Sequence, residues 1–104
     1  MRVLLDECVP RRLAGAFGAE HTVTTVTGLG WAGTKNGELL QLAADHAFEA
    51  FVTVDVAPDT SLRVLLLRAG SNRLEALLPL MPRVLEQLAT LPAGRTEVVA
   101  SPPA

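Results

Sequence analysis

Two aspartates stand directly after short apolar runs: Asp6 follows Val3-Leu4-Leu5, and Asp55 follows Phe51-Val52-Thr53-Val54. If each run is a buried strand of one parallel sheet, both acids lie at the carboxyl edge, where α/β sheets place their ligand sites. Two carboxylates converging there suit Mg²⁺ or Mn²⁺, which prefer oxygen ligands. Glu7 is adjacent but points differently, which makes it a weaker metal ligand. Glu38 falls in the first turn of the expected second helix, where the helix dipole favours a negative side chain whether or not it binds metal. Asp59 can add a fourth ligand or be an ordinary turn residue. The competing explanation for any one strand-end acid is that an apolar run must end in something polar, or that the acid caps the next helix. For the pair Asp6 and Asp55, metal binding is the preferred reading.

A second group concerns anions. Arg68 and Arg73 bracket Gly70-Ser71-Asn72 at an expected strand-to-helix junction, where free backbone N–H groups can receive phosphate. A plain helix cap by Ser71 or Asn72 is the competing explanation. Arg11, Arg12 and Lys35 add at most a weak basic rim. Trp31, the only tryptophan, stands in a glycine-rich loop, where it can stack on a base or a partner, or close over the core. His21 and His46 show no metal spacing and read as a strand-start residue and a helix-end cation. Cys8 reads as a small buried hydrophobe near the acidic edge.

The elements that must position these residues follow from periodicity and punctuation. Val3–Leu5 reads as a strand, and Pro10 opens a helix that Arg11 to Phe17 continue until Gly18. His21–Val26 alternates as a second strand, and Gly28, Gly30 and Gly33 make a loop. Thr34 or Asn36 is expected to cap a helix carrying Leu39, Leu40, Leu42, Ala43 and Ala47 at helical spacing, ending near residues 46–48. Phe51–Val54 and Arg63–Leu67 are strands, Pro79 and Pro82 divide a later helical stretch, and Thr96–Val99 is a last strand.

This alternation predicts an α/β fold: one domain over residues 1–100, with helices on both faces of a mostly parallel sheet of four to five strands. Its crossovers should be right-handed, and residues 101–104 should form a disordered tail. One connection is awkward, because Val56–Leu62 offers seven residues where a parallel crossover usually takes ~10 to 12. That crossover must be compressed, the fourth strand displaced, or the pairing antiparallel.

Composition narrows the function classes. A chain of 104 residues with net charge −2, 49% hydrophobic and 19% charged, supports one core and carries no polyanion-binding tail, so nucleic-acid contact must be local. All basic residues but Lys35 are arginine, a pattern that coding bias also produces. The single cysteine can form neither an internal disulfide nor a zinc knuckle, which predicts a reducing, cytoplasmic home. The strand-like run directly after Met1 predicts that there is no secretory leader, and no apolar stretch approaches the ~18 residues of a membrane helix.

Three stretches taken in order, Met1-Arg-Val-Leu-Leu-Asp-Glu-Cys-Val-Pro10, Gly30-Trp-Ala-Gly33 and Phe51-Val-Thr-Val-Asp55, resemble the small PIN-like proteins of the DUF5615 type. The likeness spans about the first half of the chain, and Leu67-Arg-Ala-Gly-Ser-Asn-Arg-Leu-Glu75 resembles the later part of a subgroup. The resemblance implies a three-layer fold related to PIN nucleases, with Asp6, Glu7 and Asp55 as metal ligands and Asp6, Glu38 and Asp55 as catalytic acids. It implies a ribonuclease in which water, activated at Mg²⁺ or Mn²⁺, attacks an RNA phosphodiester. It further implies a toxin-like component of a toxin–antitoxin pair, with RNA, a small antitoxin protein and a second copy of the chain as the partners to consider. Arg68, Ser71, Asn72 and Arg73 would contact the RNA phosphate.

The chain departs from that pattern at three places. Asn36 stands where many relatives carry an acid, leaving Glu38 as substitute; Ala57 replaces a polar or acidic residue; and the loop from Val56 to Leu62 is short. These departures make a catalytically impaired scaffold that binds protein or RNA the first alternative. A phospho-receiver-like signalling domain is the second, although it needs a lysine near the end of the last strand and the only lysine is Lys35.

Overall fold

Val3, Leu4 and Leu5 are completely buried in succession, as are Ala50, Phe51 and Val52, so these strands are covered on both faces. The computed structural model describes residues 1–101. It contains β1 (Arg2–Leu5), β2 (Thr22–Thr25), β3 (Ala50–Thr53), β4 (Arg63–Arg68) and β5 (Thr96–Ala100), all parallel, in the order β2-β1-β3-β4-β5. The helices are α1 (Asn36–Asp45), α2 (Leu74–Leu77) and α3 (Met81–Thr90), with 3₁₀ turns at Arg11–Ala16 and Leu78–Leu80.

Side chains alternate across the sheet with the period of two that a strand imposes. Val3, Leu5, Val52, Leu65 and Leu67 face Leu13, Phe17, Leu77, Val84 and Leu88, whereas Leu4, Phe51 and Val64 face Leu39, Leu40 and Ala43 of α1 together with Phe48. The result is the expected three-layer α/β domain with a five-stranded sheet.

Several local expectations are corrected. Residues 11–16 form a 3₁₀ turn, not an α-helix: six residues containing Gly15 are too few to offset helix nucleation. Lys35, not Thr34 or Asn36, is the N-cap of α1, and it makes no side-chain cap bond. At the other end of α1, Ala47 takes a left-handed φ of 63°. The Phe48 N–H reaches the Ala43 carbonyl at 2.9 Å and the Ala47 N–H the Ala44 carbonyl at 3.1 Å, a Schellman closure in which glycine is the usual residue.

The awkward crossover is the compressed one. Residues 54–62 join two parallel neighbours without a helix, and Ala57 and Leu62 pack against the α1-side core. The crossovers do not all share the one hand expected of a parallel sheet. The β1-to-β2 connection crosses the Leu13 face, and the β2-to-β3 connection steps back over the α1 face with the same hand; β4-to-β5 steps in that second direction over the Leu13 face, and so has the opposite hand. Its connection is long and bent through α2, a 3₁₀ turn and α3. Of the expected tail, Ser101 is tied down by its N–H to the Arg68 carbonyl at 3.0 Å, and residues 102–104 lie outside the described residues.

Candidate metal centre

Asp6 continues β1 by one residue: its N–H donates to the Val52 carbonyl at 3.0 Å, which carries the pairing with β3 past the end of the strand. The residue is only 6% exposed, so its carboxylate must be compensated within the protein. Oδ1 accepts the Glu7 backbone N–H at 2.8 Å, and Oδ2 accepts the Thr53 hydroxyl at 2.7 Å and the Cys8 thiol at 3.4 Å. A carboxylate offers about four lone-pair directions, so roughly one stays open to a further ligand.

Thr53 ends β3 and is 1% exposed. Its oxygen also accepts the Asp55 backbone N–H at 3.0 Å, which ties the segment bearing Asp55 to Asp6. The connection after β1 leaves over the Leu13 face and the one after β3 over the α1 face, so the crevice between these two strands opens at their carboxyl ends. Asp55, exposed, and buried Asp6 flank that crevice. One ligand atom each from Asp6, Cys8 and Asp55 lies within 4.8 Å of the others.

The chemistry of this donor set fits a hard divalent cation. Burial raises the Cys8 thiol above its ordinary value of 9.0, and the Asp6 charge adds to the rise, outweighing hydrogen bonds with the Val54 backbone and Thr53 that lower it. The sulfur is therefore a neutral donor to Asp6 at pH 7, a poor ligand for Mg²⁺ or Mn²⁺. Two carboxylates remain, and Mg²⁺ is commonly held by one or two carboxylates, with water and substrate phosphate completing the shell.

Of the expected ligands, the fold brings Asp6 and Asp55 together and adds Cys8. Glu7 is exposed and lines the same cleft as Asp6 and Cys8 but is outside the three-residue group, as are Glu38, exposed in the first turn of α1, and Asp59, exposed in the loop after β3. Cys8 packs against the Leu13-side core at the acidic edge as expected, but it is only half-buried and its thiol also donates to Asp6. Thr53 was hidden because a β-branched residue inside an apolar run reads as strand packing. The signal available for both was their spacing of two residues from an acid.

The expected phosphate group divides. Asn72 and Arg73 line a cleft of about 700 Å³ whose lining includes Asp6, Glu7 and Arg11, whereas Arg68 and Ser71 line a smaller hollow of about 350 Å³ that shares only Asn72 with it. Neither Ser71 nor Asn72 caps α2. Its N-cap is Arg73, the Ser71 hydroxyl accepts the Arg73 N–H at 3.2 Å, and Asn72 Nδ2 donates to the Cys8 carbonyl at 3.1 Å. Trp31 stands edge-on to His46 and Phe48, with ring centroids at 5.0 and 6.1 Å, and so lies over the α1-side core as a lid.

No family model, curated protein or solved structure matches this chain. No helix among the described residues is long and apolar enough to cross a membrane.

Proposed function

We propose that the chain is a PIN-like, Mg²⁺- or Mn²⁺-dependent ribonuclease of low turnover, acting in the cytoplasm as the toxin-like member of a pair with a small antitoxin protein. The observation that carries this reading is the convergence of Asp6 and Asp55 on one ligand-sized space at the carboxyl edge. A cation held there would supply Lewis-acid stabilisation of the phosphoryl oxygen and activation of a water. Water adds to phosphorus as the bond to one ribose oxygen breaks, and that oxygen takes up the proton. Asp6 is fixed in place by Thr53, Cys8 and the Glu7 N–H, and exposed Asp55 would supply the second carboxylate to the cation.

Low turnover follows from the acids that do not converge. Positioning a cation for in-line attack asks for more fixed ligands than two carboxylates, and Glu7 and Glu38 stand outside the group. The same observation favours the second reading, a PIN-like scaffold that binds RNA or protein without cleaving. The receiver reading draws support from the strand order, but β5 ends at Ala100 and Ser101 with no lysine, and Lys35 instead precedes α1.

The test is cleavage of a fluorescently labelled single-stranded RNA in Mn²⁺, with EDTA and Asp55→Asn as controls. Slow cleavage abolished by either control supports the nuclease. RNA binding without cleavage supports the scaffold. Cleavage that survives both controls contradicts the metal site.

A further inference from the structure

We infer that the cleft beside Asp6 seats a single nucleotide unit, its phosphate gripped by Arg11 and Arg73; this rests on the phosphodiester reading above and names the part of the substrate that the protein holds. The cleft measures about 700 Å³, inside the roughly 300–1,000 Å³ of small-molecule sites and short of a groove for an extended strand. The net charge of −2 likewise offers no basic track along which a polyanion could be held by its backbone alone. What the cleft offers is two cations, Arg11 and Arg73.

These cations come from different segments. Arg11 opens the 3₁₀ turn after β1, Arg73 precedes α2, and both are exposed and line the cleft. Guanidinium forks match phosphate oxygens in geometry and charge. The Asn72 amide clasps the Cys8 carbonyl across 64 residues of sequence, which holds the segment of Arg73 against the loop that carries Asp6. Asn72 is thus a positioning residue for the grip.

A third wall comes from the end of β2. The Thr25 hydroxyl accepts the Gly28 N–H at 2.9 Å, and a Cβ on Gly28 would stand 2.7 Å from that oxygen, so a side chain there must displace the hydroxyl from this bond. Thr25, Thr27 and Pro10 line the cleft beside the two arginines, a mixture of polar and apolar residue types suited to a nucleotide. With Asp6 and Glu7 in the same cleft, a bound phosphate is repelled by the acids unless a cation bridges them. Affinity should therefore rise when Mn²⁺ is present.

The experiment measures binding of adenosine 5′-monophosphate, a 5′-phosphorylated diadenylate and a 5′-phosphorylated decaadenylate by calorimetry, in EDTA and in Mn²⁺. The monophosphate and both oligonucleotides should bind within about threefold of one another, since one unit carries the grip. Arg11→Gln and Arg73→Gln should each weaken binding about tenfold even in EDTA, Gly28→Ala and Asn72→Ala should weaken it less, and Arg83→Gln, on the exposed side of α3, should change nothing. Affinity that climbs steadily with length and ignores Arg11→Gln and Arg73→Gln overturns the inference, as does no binding of the monophosphate. Arginine-dependent binding in EDTA with no gain in Mn²⁺ upholds the cleft while removing the metal reading. A Mn²⁺-induced rise in melting temperature without arginine-dependent binding does the reverse.

Discussion

The Thr53 hydroxyl donates to Asp6 Oδ2 at 2.7 Å and accepts the Asp55 backbone N–H at 3.0 Å, so one buried side chain joins the two aspartates of the site. Thr53→Val keeps the shape and removes both bonds together with the hydroxyl's contact to Cys8, leaving the largely buried Asp6 carboxylate short of a donor. Urea unfolding should show a loss of ~1–3 kcal/mol, accompanied by weaker Mn²⁺ binding. A loss below about 0.5 kcal/mol would mean that the hydroxyl does not hold the carboxylate.

Cys8 gives a prediction in pH. Burial holds its thiol above the ordinary 9.0, so the folded state prefers the neutral form. That preference contributes stability that is fully present below the unfolded value and is lost as pH rises through the higher folded one. Cys8→Ser should therefore flatten the fall in stability above pH 9.0. At neutral pH, iodoacetamide should modify the native protein more slowly than the chain unfolded in urea. Equal rates would show a thiol free of its partners.

Ala57 packs against the α1-side core. Ala57→Asp should cost ~1–3 kcal/mol by setting a carboxylate against apolar surface, with no gain in Mn²⁺ affinity. Tighter Mn²⁺ binding by this variant would contradict the placement of the 54–62 segment.

Ala47, with φ of 63°, occupies the position after α1 that glycine fills without strain. Ala47→Gly should raise stability by about 0.5–1 kcal/mol, measured by thermal or urea unfolding. A destabilised variant would show that the helix closes differently.

Much of this arrangement is legible in the sequence because parallel strands buried on both faces read as unbroken apolar runs, as Val3–Leu5 and Phe51–Val54 do. The abrupt change at Asp6 marks the carboxyl edge by itself. Other features depend on tertiary partners that no local pattern displays. Thr53 reads as one more β-branched strand residue until β1 lies beside β3 and places Asp6 against its hydroxyl. Asn72 reads as a helix cap, but the loop before α2 turns its amide to the Cys8 carbonyl instead. The contribution of Thr25 and Gly28 to the cleft requires β2 to pair outside β1, a choice of strand order that periodicity leaves open.

The central claim is a shared divalent cation at Asp6 and Asp55, and Mn²⁺ titration followed by electron paramagnetic resonance tests it most directly. The free ion's signal is lost on binding, so the count and affinity are read without any assumption about the substrate. Asp55→Asn is the decisive variant, because its side chain is exposed and takes no part in the core, whereas Asp6→Asn would disturb a buried network. Wild type should bind one Mn²⁺ per chain, and Asp55→Asn should weaken that binding at least about tenfold, or ~1.4 kcal/mol, with an unchanged melting temperature in EDTA. Superimposable titrations of the two proteins would contradict the shared site.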